Sequence, residues 1–126
     1  MTQTVPGRSE VPKQYTWNTE SIFPTPEAWE AEFTAVAESL PALAQYRGRL
    51  SEGPSVLADY VEASEEVARR LGKVFVYASM GASVDTGDQA AQARSDRARG
   101  LMARVGAATA FAEPEMLQIG FDTLRQ

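Results

Sequence analysis

The side chains that could do chemistry in this sequence are carboxylates, guanidinium and amino groups, and hydroxyls, because the chain contains neither histidine nor cysteine. Nucleophiles that depend on a histidine base are therefore excluded, as are thiolates. Zinc sites with histidine or cysteine ligands are excluded for the same reason. Carboxylate chemistry would need acidic groups that converge on one pocket, and no spacing in the sequence establishes such a pocket.

Two sets of acidic residues are candidate metal ligands. Asp85-Thr86-Gly87-Asp88 resembles the start of a calcium loop but lacks its third acidic position and distal glutamate. We interpret Asp85 as the cap of a helix, with Asp88 in the role of a weak capping box. The second set lies on the polar side of a predicted helix, where solvated carboxylates are the usual case. This set comprises Glu27, Glu30, Glu32 and Glu38.

Basic and aromatic clusters offer two further candidates. Aromatic residues at helical spacing usually belong to a core, so Tyr60, Phe75 and Tyr77 are not interpreted as a ligand cage. A net charge of −5 opposes nucleic-acid binding, and we predict no nucleic-acid partner. We therefore predict no catalytic, cofactor-binding or metal-binding residue in this chain. The basic cluster, which we expect to pair with acidic residues of the second helix, comprises Arg94, Arg97, Arg99 and Arg104.

The elements that would position these residues are helices, and the length of 126 residues predicts one domain. Thr25 and Pro26 predict the start of a first helix, since threonine suits the N-cap and proline the first turn. Pro41 should kink this helix, and Gly48 is the expected stop. Its predicted buried stripe is Trp29, Phe33, Val36, Leu40, Leu43 and Ala44.

A second helix should start near Pro54 and be followed by a loop over residues 81–87. Pairs at spacing four, Glu65 with Arg69 and Glu66 with Arg70, should support it. Residues 74–80 are apolar nearly all round, which favours a helix covered on more than one side and leaves a short strand as the alternative. The predicted stripe is Leu57, Tyr60, Val61, Ser64, Ala68, Leu71, Phe75 and Ala78.

A third helix should follow Asp85, and the small residues Gly100 and Gly106 suggest close packing against a neighbour. Pro114 indicates a short further helix that Gly120 ends, and Asp122 is the expected cap of another element. The stripe of the third helix is predicted to be Ala91, Ser95, Ala98, Met102, Val105 and Thr109.

Prolines break residues 1–25 into an irregular arm, in which Asn18 could cap one turn. The arm carries Tyr15, Trp17, Ile22 and Phe23, which favours docking onto a body over disorder. The predicted fold is all-α, with three main antiparallel helices, this arm at 1–25, and a helical domain at 26–126 that ends in a short helical turn.

The expected location of the protein is the cytoplasm. Residues 1–9 are polar and lack the apolar segment of a signal peptide. No stretch approaches the length of a membrane span, so we expect no membrane partner. The absence of cysteine fits a reducing compartment.

The order of these features resembles the N-terminal region of the oligoendopeptidase F family of zinc metallopeptidases. The proline-tryptophan arm and the helix around Trp29 are the most specific part. The segments that carry the resemblance are RSEVPKQYTWN (8–18), ESIFP (20–24), EAWE (27–30), YRGRL (46–50), YASM (77–80), Asp85-Thr86 and FAEPE (111–115).

This resemblance implies a much longer, mostly helical protein that encloses a deep channel. Members of the family hold zinc with a downstream His-Glu-x-x-His motif and a later glutamate, in which two histidines share a helix face. Because this chain has no histidine, no catalytic residue is transferred to it. The resemblance therefore implies a non-catalytic wall or lid of the channel, with zinc and oligopeptide substrate bound only by the full-length enzyme.

Two hypotheses about the chain follow. In the first it is a fragment whose partner is the remainder of the peptidase, and it is inactive alone. In the second it is a free-standing helical interaction module. Two features favour the fragment: residues 74–80 are apolar nearly all round, and the sequence stops after the new cap signal at Asp122. An uncovered apolar face would also promote self-association through the second and third helices.

Overall fold

The computed structural model describes residues 4–126, so the first three residues of the predicted arm at 1–25 lie outside the described part of the chain. Five α-helices and four short 3-10 turns make up the fold, and residues 4–126 contain no strand, which confirms the all-α prediction. The helices are α1 (Pro26–Ala44), α2 (Pro54–Val84), α3 (Gln89–Thr109), α4 (Ala112–Ile119) and α5 (Phe121–Leu124).

Helix α1 begins as its capping chemistry predicts. The Thr25 side chain accepts a hydrogen bond from the Ala28 amide (3.1 Å), and Pro26 occupies the first turn. Pro41 remains inside the helix, which ends at Ala44 and therefore before the predicted stop at Gly48. Gly48 instead holds a left-handed conformation (φ 78°) in the connection to α2, where a residue without Cβ is favoured.

Helix α2 is longer than predicted. Its 31 residues span about 46 Å, and residues 74–80 are helical, so the strand alternative is wrong. The helix also continues through Gly81, which lies against Ala91 of α3, so the predicted loop at 81–87 shrinks to 85–88. The cap of α3 is Asp88, whose carboxylate accepts from the Ala91 amide, and not Asp85 as predicted. Asp85 accepts from the Gly87 amide inside the short connection.

The three long helices share one core, and α1 runs antiparallel to α2. Trp29, near the start of α1, is fully buried and donates its indole N–H to the Val74 carbonyl in the last third of α2 (2.8 Å). The largest side chains that lie entirely inside this core are Trp29, Val36, Leu43, Leu50, Val74 and Leu101.

The buried faces of α2 and α3 differ from the predicted stripes. In α2, Val67 and Val74 are buried, whereas the predicted Val61 and Ala68 are exposed. The predicted and the buried faces share positions 60, 71 and 78. The buried positions 67 and 74 lie on one side of these shared positions, and the predicted positions 61, 68 and 75 lie on the other. Both sides are apolar, so only the placement of α1 and α3 decides which side is covered.

Helix α3 buries Ala91, Ser95 and Ala98 as predicted and departs from the predicted stripe at the next position. Leu101 is buried, and the predicted Met102 is 42% exposed. Gly100 and Gly106 are also exposed, and a methyl group at either position would meet nothing within 4 Å, so close packing within this domain does not explain them.

The short C-terminal helices are present with altered starts. Pro114 is the third residue of α4 and not its first. Gly120 ends α4 as predicted, and with φ 88° it also occupies the N-cap position of α5 that we assigned to Asp122. Gly can take both roles because it adopts positive φ without a steric penalty.

The arm packs against the helical body through its second half. Phe23 packs edge-on against Tyr77 of α2, with ring centroids 5.5 Å apart, and Ile22 is half-buried. Tyr15 and Trp17 remain 75% and 54% exposed, so these two residues do not dock on the described helical body. A 3-10 turn follows Asn18 at Thr19–Ser21, but the Asn18 side chain does not cap it.

Candidate functional site

Two of the four candidate glutamates on α1 pair with arginines of other helices. Glu30 accepts two hydrogen bonds from Arg97 of α3 (2.5 and 2.8 Å), and Glu32 accepts two from Arg70 of α2 (2.5 and 3.2 Å). These bidentate pairs connect α1 to both neighbouring helices. The interpretation of these carboxylates as a solvated face is therefore wrong for Glu32, which is half-buried, whereas Glu30 is paired but remains exposed.

These pairs change the titration of the carboxyl groups. The hydrogen bond from Arg97 lowers the pKa of Glu30, and the hydrogen bond from Arg70 lowers that of Glu32. Burial opposes the shift in both cases, and the nearby positive charges add to it. Because the Glu32–Arg70 pair is less exposed than the Glu30–Arg97 pair, solvent screens its charges less.

The predicted intrahelical pairs of α2 form differently. Arg70 reaches across to Glu32 and not to Glu66, while Arg69 pairs with Glu66 at spacing three and not with Glu65. An arginine side chain can pair with a local or a distant carboxylate, and here Arg70 forms two hydrogen bonds with the half-buried distant one.

The basic cluster of α3 covers aromatic rings of the core. The Arg97 guanidinium lies 4.5 Å from the Phe33 ring centroid, and that of Arg94 lies 5.7 Å from Trp29. Arg99 has a weak contact with Asp96 (3.9 Å). The expected acidic partners on α2 are wrong, since the pairs run to α1 and within α3. Arg104, the remaining member of the cluster, is exposed.

The three candidate aromatics do not converge on one site. Tyr60 is buried between Tyr46 and Phe111, with ring centroids 5.6 and 5.4 Å away. Tyr77 belongs instead to the contact with the arm, and Phe75 is half-buried against the core. Burial, and secondarily the charge of Glu115, raises the pKa of Tyr60, which disfavours its ionised form.

One polar contact was missed by sequence reasoning. The Glu115 carboxylate of α4 accepts hydrogen bonds from the backbone amides of Gly48 (2.8 Å) and Leu50 (3.4 Å). It thereby fixes the connection between α1 and α2 to the C-terminal end of the domain. The partners are more than 60 residues apart, so no local spacing rule could reveal them.

The described residues offer neither a metal site nor a membrane span. Among residues 4–126, no group of three or more acidic side chains is arranged so that it could hold a metal ion. Asp85 and Asp88, the remaining candidates, bond to backbone amides near the start of α3. None of the described helices is both long enough and apolar enough to cross a membrane.

Replacing Glu32 with glutamine should lower the free energy of unfolding by about 1 kcal/mol at neutral pH, since a charge-assisted hydrogen bond is lost. The pKa of Glu32 is lowered in the folded state, so its contribution is present above the ordinary glutamate pKa and disappears as the pH falls through the folded value. Urea unfolding of both proteins across the acidic range should therefore give curves that converge at low pH.

The matched control is Glu38→Gln on the same helix, because Glu38 is exposed and the structure records no ion pair for it among the described residues. This variant should unfold like the unaltered protein at every pH. A Glu32→Gln variant with the same difference in stability at low and neutral pH would contradict the assigned role of the Arg70 pair.

Comparison with known proteins finds bacterial peptidases. The chain is 40% identical over 122 residues to oligopeptidase PepF of Bacillus subtilis (strain 168), a match that covers 97% of this chain and 18% of that protein. Group B oligopeptidase PepB of Streptococcus agalactiae serotype III (strain NEM316) is 32% identical over 113 residues, or 90% of this chain and 19% of its own length. Plasmid oligoendopeptidase F of Lactococcus lactis subsp. cremoris is 32% identical with the same coverages.

The chain therefore spans less than a fifth of the length of the curated relatives that it matches. No protein-family model matches the chain, and no solved structure matches it significantly. The names of these relatives agree with the family that the arm and the Trp29 helix resemble. This chain belongs to the oligoendopeptidase F family and corresponds to an N-terminal portion of its members.

Proposed function

We propose that this chain is a non-catalytic N-terminal helical domain of a zinc metallopeptidase that cleaves short peptides in the cytoplasm. The observation that carries the proposal is a match over 97% of the chain to an oligopeptidase of which it spans 18%. The absence of histidine supports the non-catalytic role, because the zinc motif of such enzymes needs two histidines on one helix face. The remainder of the peptidase is the proposed partner.

Within the complete enzyme, the domain would form part of the wall or lid of the substrate channel. Three features support this role: α2 is about 46 Å long, and the Glu30–Arg97 and Glu32–Arg70 pairs fix α1 against both of its neighbours. A rigid helical layer of this length can exclude folded proteins and admit short peptides. Zinc would supply Lewis-acid chemistry in the enzyme, and this chain would contribute no ligand to it.

The purified chain is expected to show no zinc-dependent cleavage of a short unstructured peptide, assayed by mass spectrometry with and without added zinc. Bacillus PepF in which this chain replaces the matching 122-residue segment should cleave the same peptide. PepF without that segment is the matched control and should lose most of its activity. Cleavage by the isolated chain, or an inactive but folded chimera, would contradict the proposal.

A second candidate function, a free-standing interaction module, is favoured by the closed core. Trp29, Leu43 and Leu101 are almost completely buried by this chain alone, as a self-sufficient domain requires. Size-exclusion chromatography with light scattering separates the two possibilities. A concentration-independent monomer with cooperative unfolding would favour the module, whereas self-association through the exposed faces of α2 and α3, which include Val76 and Met102, would favour the fragment.

A further inference from the structure

The N-terminal arm divides into a docked half and an exposed half. Phe23 lies against Tyr77 and belongs to the periphery of the core. Tyr15 and Trp17, only a few residues earlier, leave 75% and 54% of their surfaces exposed. Tryptophan and tyrosine are the residue types most enriched among the anchors of protein interfaces, so two of them exposed together need an explanation.

Local bonds fix the conformation of the exposed half. Lys13 forms an ion pair with Glu20 (2.8 Å), which bridges the segment that contains both aromatic residues. The Thr16 hydroxyl donates to the Lys13 carbonyl (2.7 Å), and the Tyr15 amide donates to the Pro12 carbonyl (2.9 Å). Such ordering before contact reduces the entropy that binding would otherwise cost.

We propose that Tyr15 and Trp17 are docking residues that occupy an apolar pocket on the remainder of the same peptidase polypeptide. The inference deepens the proposed function and rests on it. The match to Bacillus PepF covers 122 of 126 residues, so at most four lie outside it and the arm belongs to the shared region. That relative has more than four fifths of its length beyond the match, which provides a body on which the exposed half of the arm can dock.

The size of the contact favours this occupant over a second copy of the chain. Each buried aromatic side chain contributes roughly 150–250 Å². Two of them fall well short of the roughly 800 Å² per partner that a standard stable interface buries. Within one polypeptide the effective concentration of the arm is high, so the same small contact is sufficient.

The test uses the isolated chain and the chimera of this chain with the remainder of Bacillus PepF. The double variant Tyr15→Ala/Trp17→Ala should shift the thermal midpoint of the isolated chain by no more than about 2 °C, because both side chains are exposed there. In the chimera the same variant should raise the rate of limited proteolysis within the arm by about tenfold or more, since hot-spot truncation releases the docked segment.

The matched control is Phe23→Ala, which should lower the thermal midpoint of the isolated chain because Phe23 contacts Tyr77 of its own domain. An active chimera whose arm is cleaved equally fast with and without Tyr15 and Trp17 would overturn the docking inference and leave the proposed function standing. An inactive chimera would overturn both. A dimer of the isolated chain that the double variant abolishes would assign these residues to a second copy and overturn the inference.

Discussion

Replacing Trp29 with alanine is expected to lower the free energy of unfolding by about 3–5 kcal/mol. The side chain is completely buried, and its ring contacts Phe33 with centroids 5.2 Å apart. Its removal leaves a cavity at the meeting point of α1, α2 and α3 and deletes the hydrogen bond that the indole donates to the Val74 carbonyl. A domain of this size is stable by roughly 5–15 kcal/mol, so the loss is a large fraction of the total.

Trp29→Phe separates packing from hydrogen bonding. Phenylalanine retains an aromatic ring but cannot donate to the Val74 carbonyl, so this variant should lose about 1–2 kcal/mol. Urea unfolding followed by far-ultraviolet circular dichroism measures both variants without relying on tryptophan fluorescence. A loss below about 1 kcal/mol for Trp29→Ala would show that the indole is not the centre of the core.

The helix starts could be predicted because their chemistry is local. Thr25 and Pro26 form an N-cap and a first turn within four residues, and Pro54 occupies the first turn of α2 after Gly53. Such contacts do not depend on the rest of the fold. The start of α3 was less determined, because Asp85 and Asp88 are both suitable caps and the choice depends on how far α2 continues.

The sides of the helices that become buried could not be predicted to the residue. Val61 and Val67 are equally apolar, yet only Val67 is buried, because α1 and α3 together cover one flank of α2. The ion pairs of α2 could not be predicted correctly for a related reason. Arg70 had a local partner at spacing four in Glu66, but the fold brings Glu32 from 38 residues away into a bidentate geometry.

The candidate sites illustrate the same limit. Composition alone excluded histidine- and cysteine-dependent chemistry, since that conclusion needs no geometry. The structural roles of Glu30, Arg97 and Glu115 depend on contacts across the bundle, which the local sequence does not encode. The composition of the arm predicts a docking segment, but only the structure separates the docked Phe23 from the exposed Trp17.

Leu101→Ala is expected to cost about 2–5 kcal/mol of unfolding free energy, whereas Met102→Ala should cost less than about 1 kcal/mol. Leu101 is 1% exposed and Met102 is 42% exposed, although the two residues are adjacent on α3. Each substitution removes a large apolar side chain and introduces the residue with the best helix propensity. The comparison therefore isolates burial from composition and from backbone effects.

The same pair of variants tests the orientation of α3. Adjacent helical residues are about 100° apart around the axis, so a helix rotated by one residue would bury Met102 and expose Leu101. Leu101→Met, which nearly conserves volume, should cost less than about 1.5 kcal/mol and controls for the loss of branching alone. Equal losses from Leu101→Ala and Met102→Ala in urea unfolding would contradict the core described here, because a single apolar face of α3 cannot bury both side chains against α1 and α2.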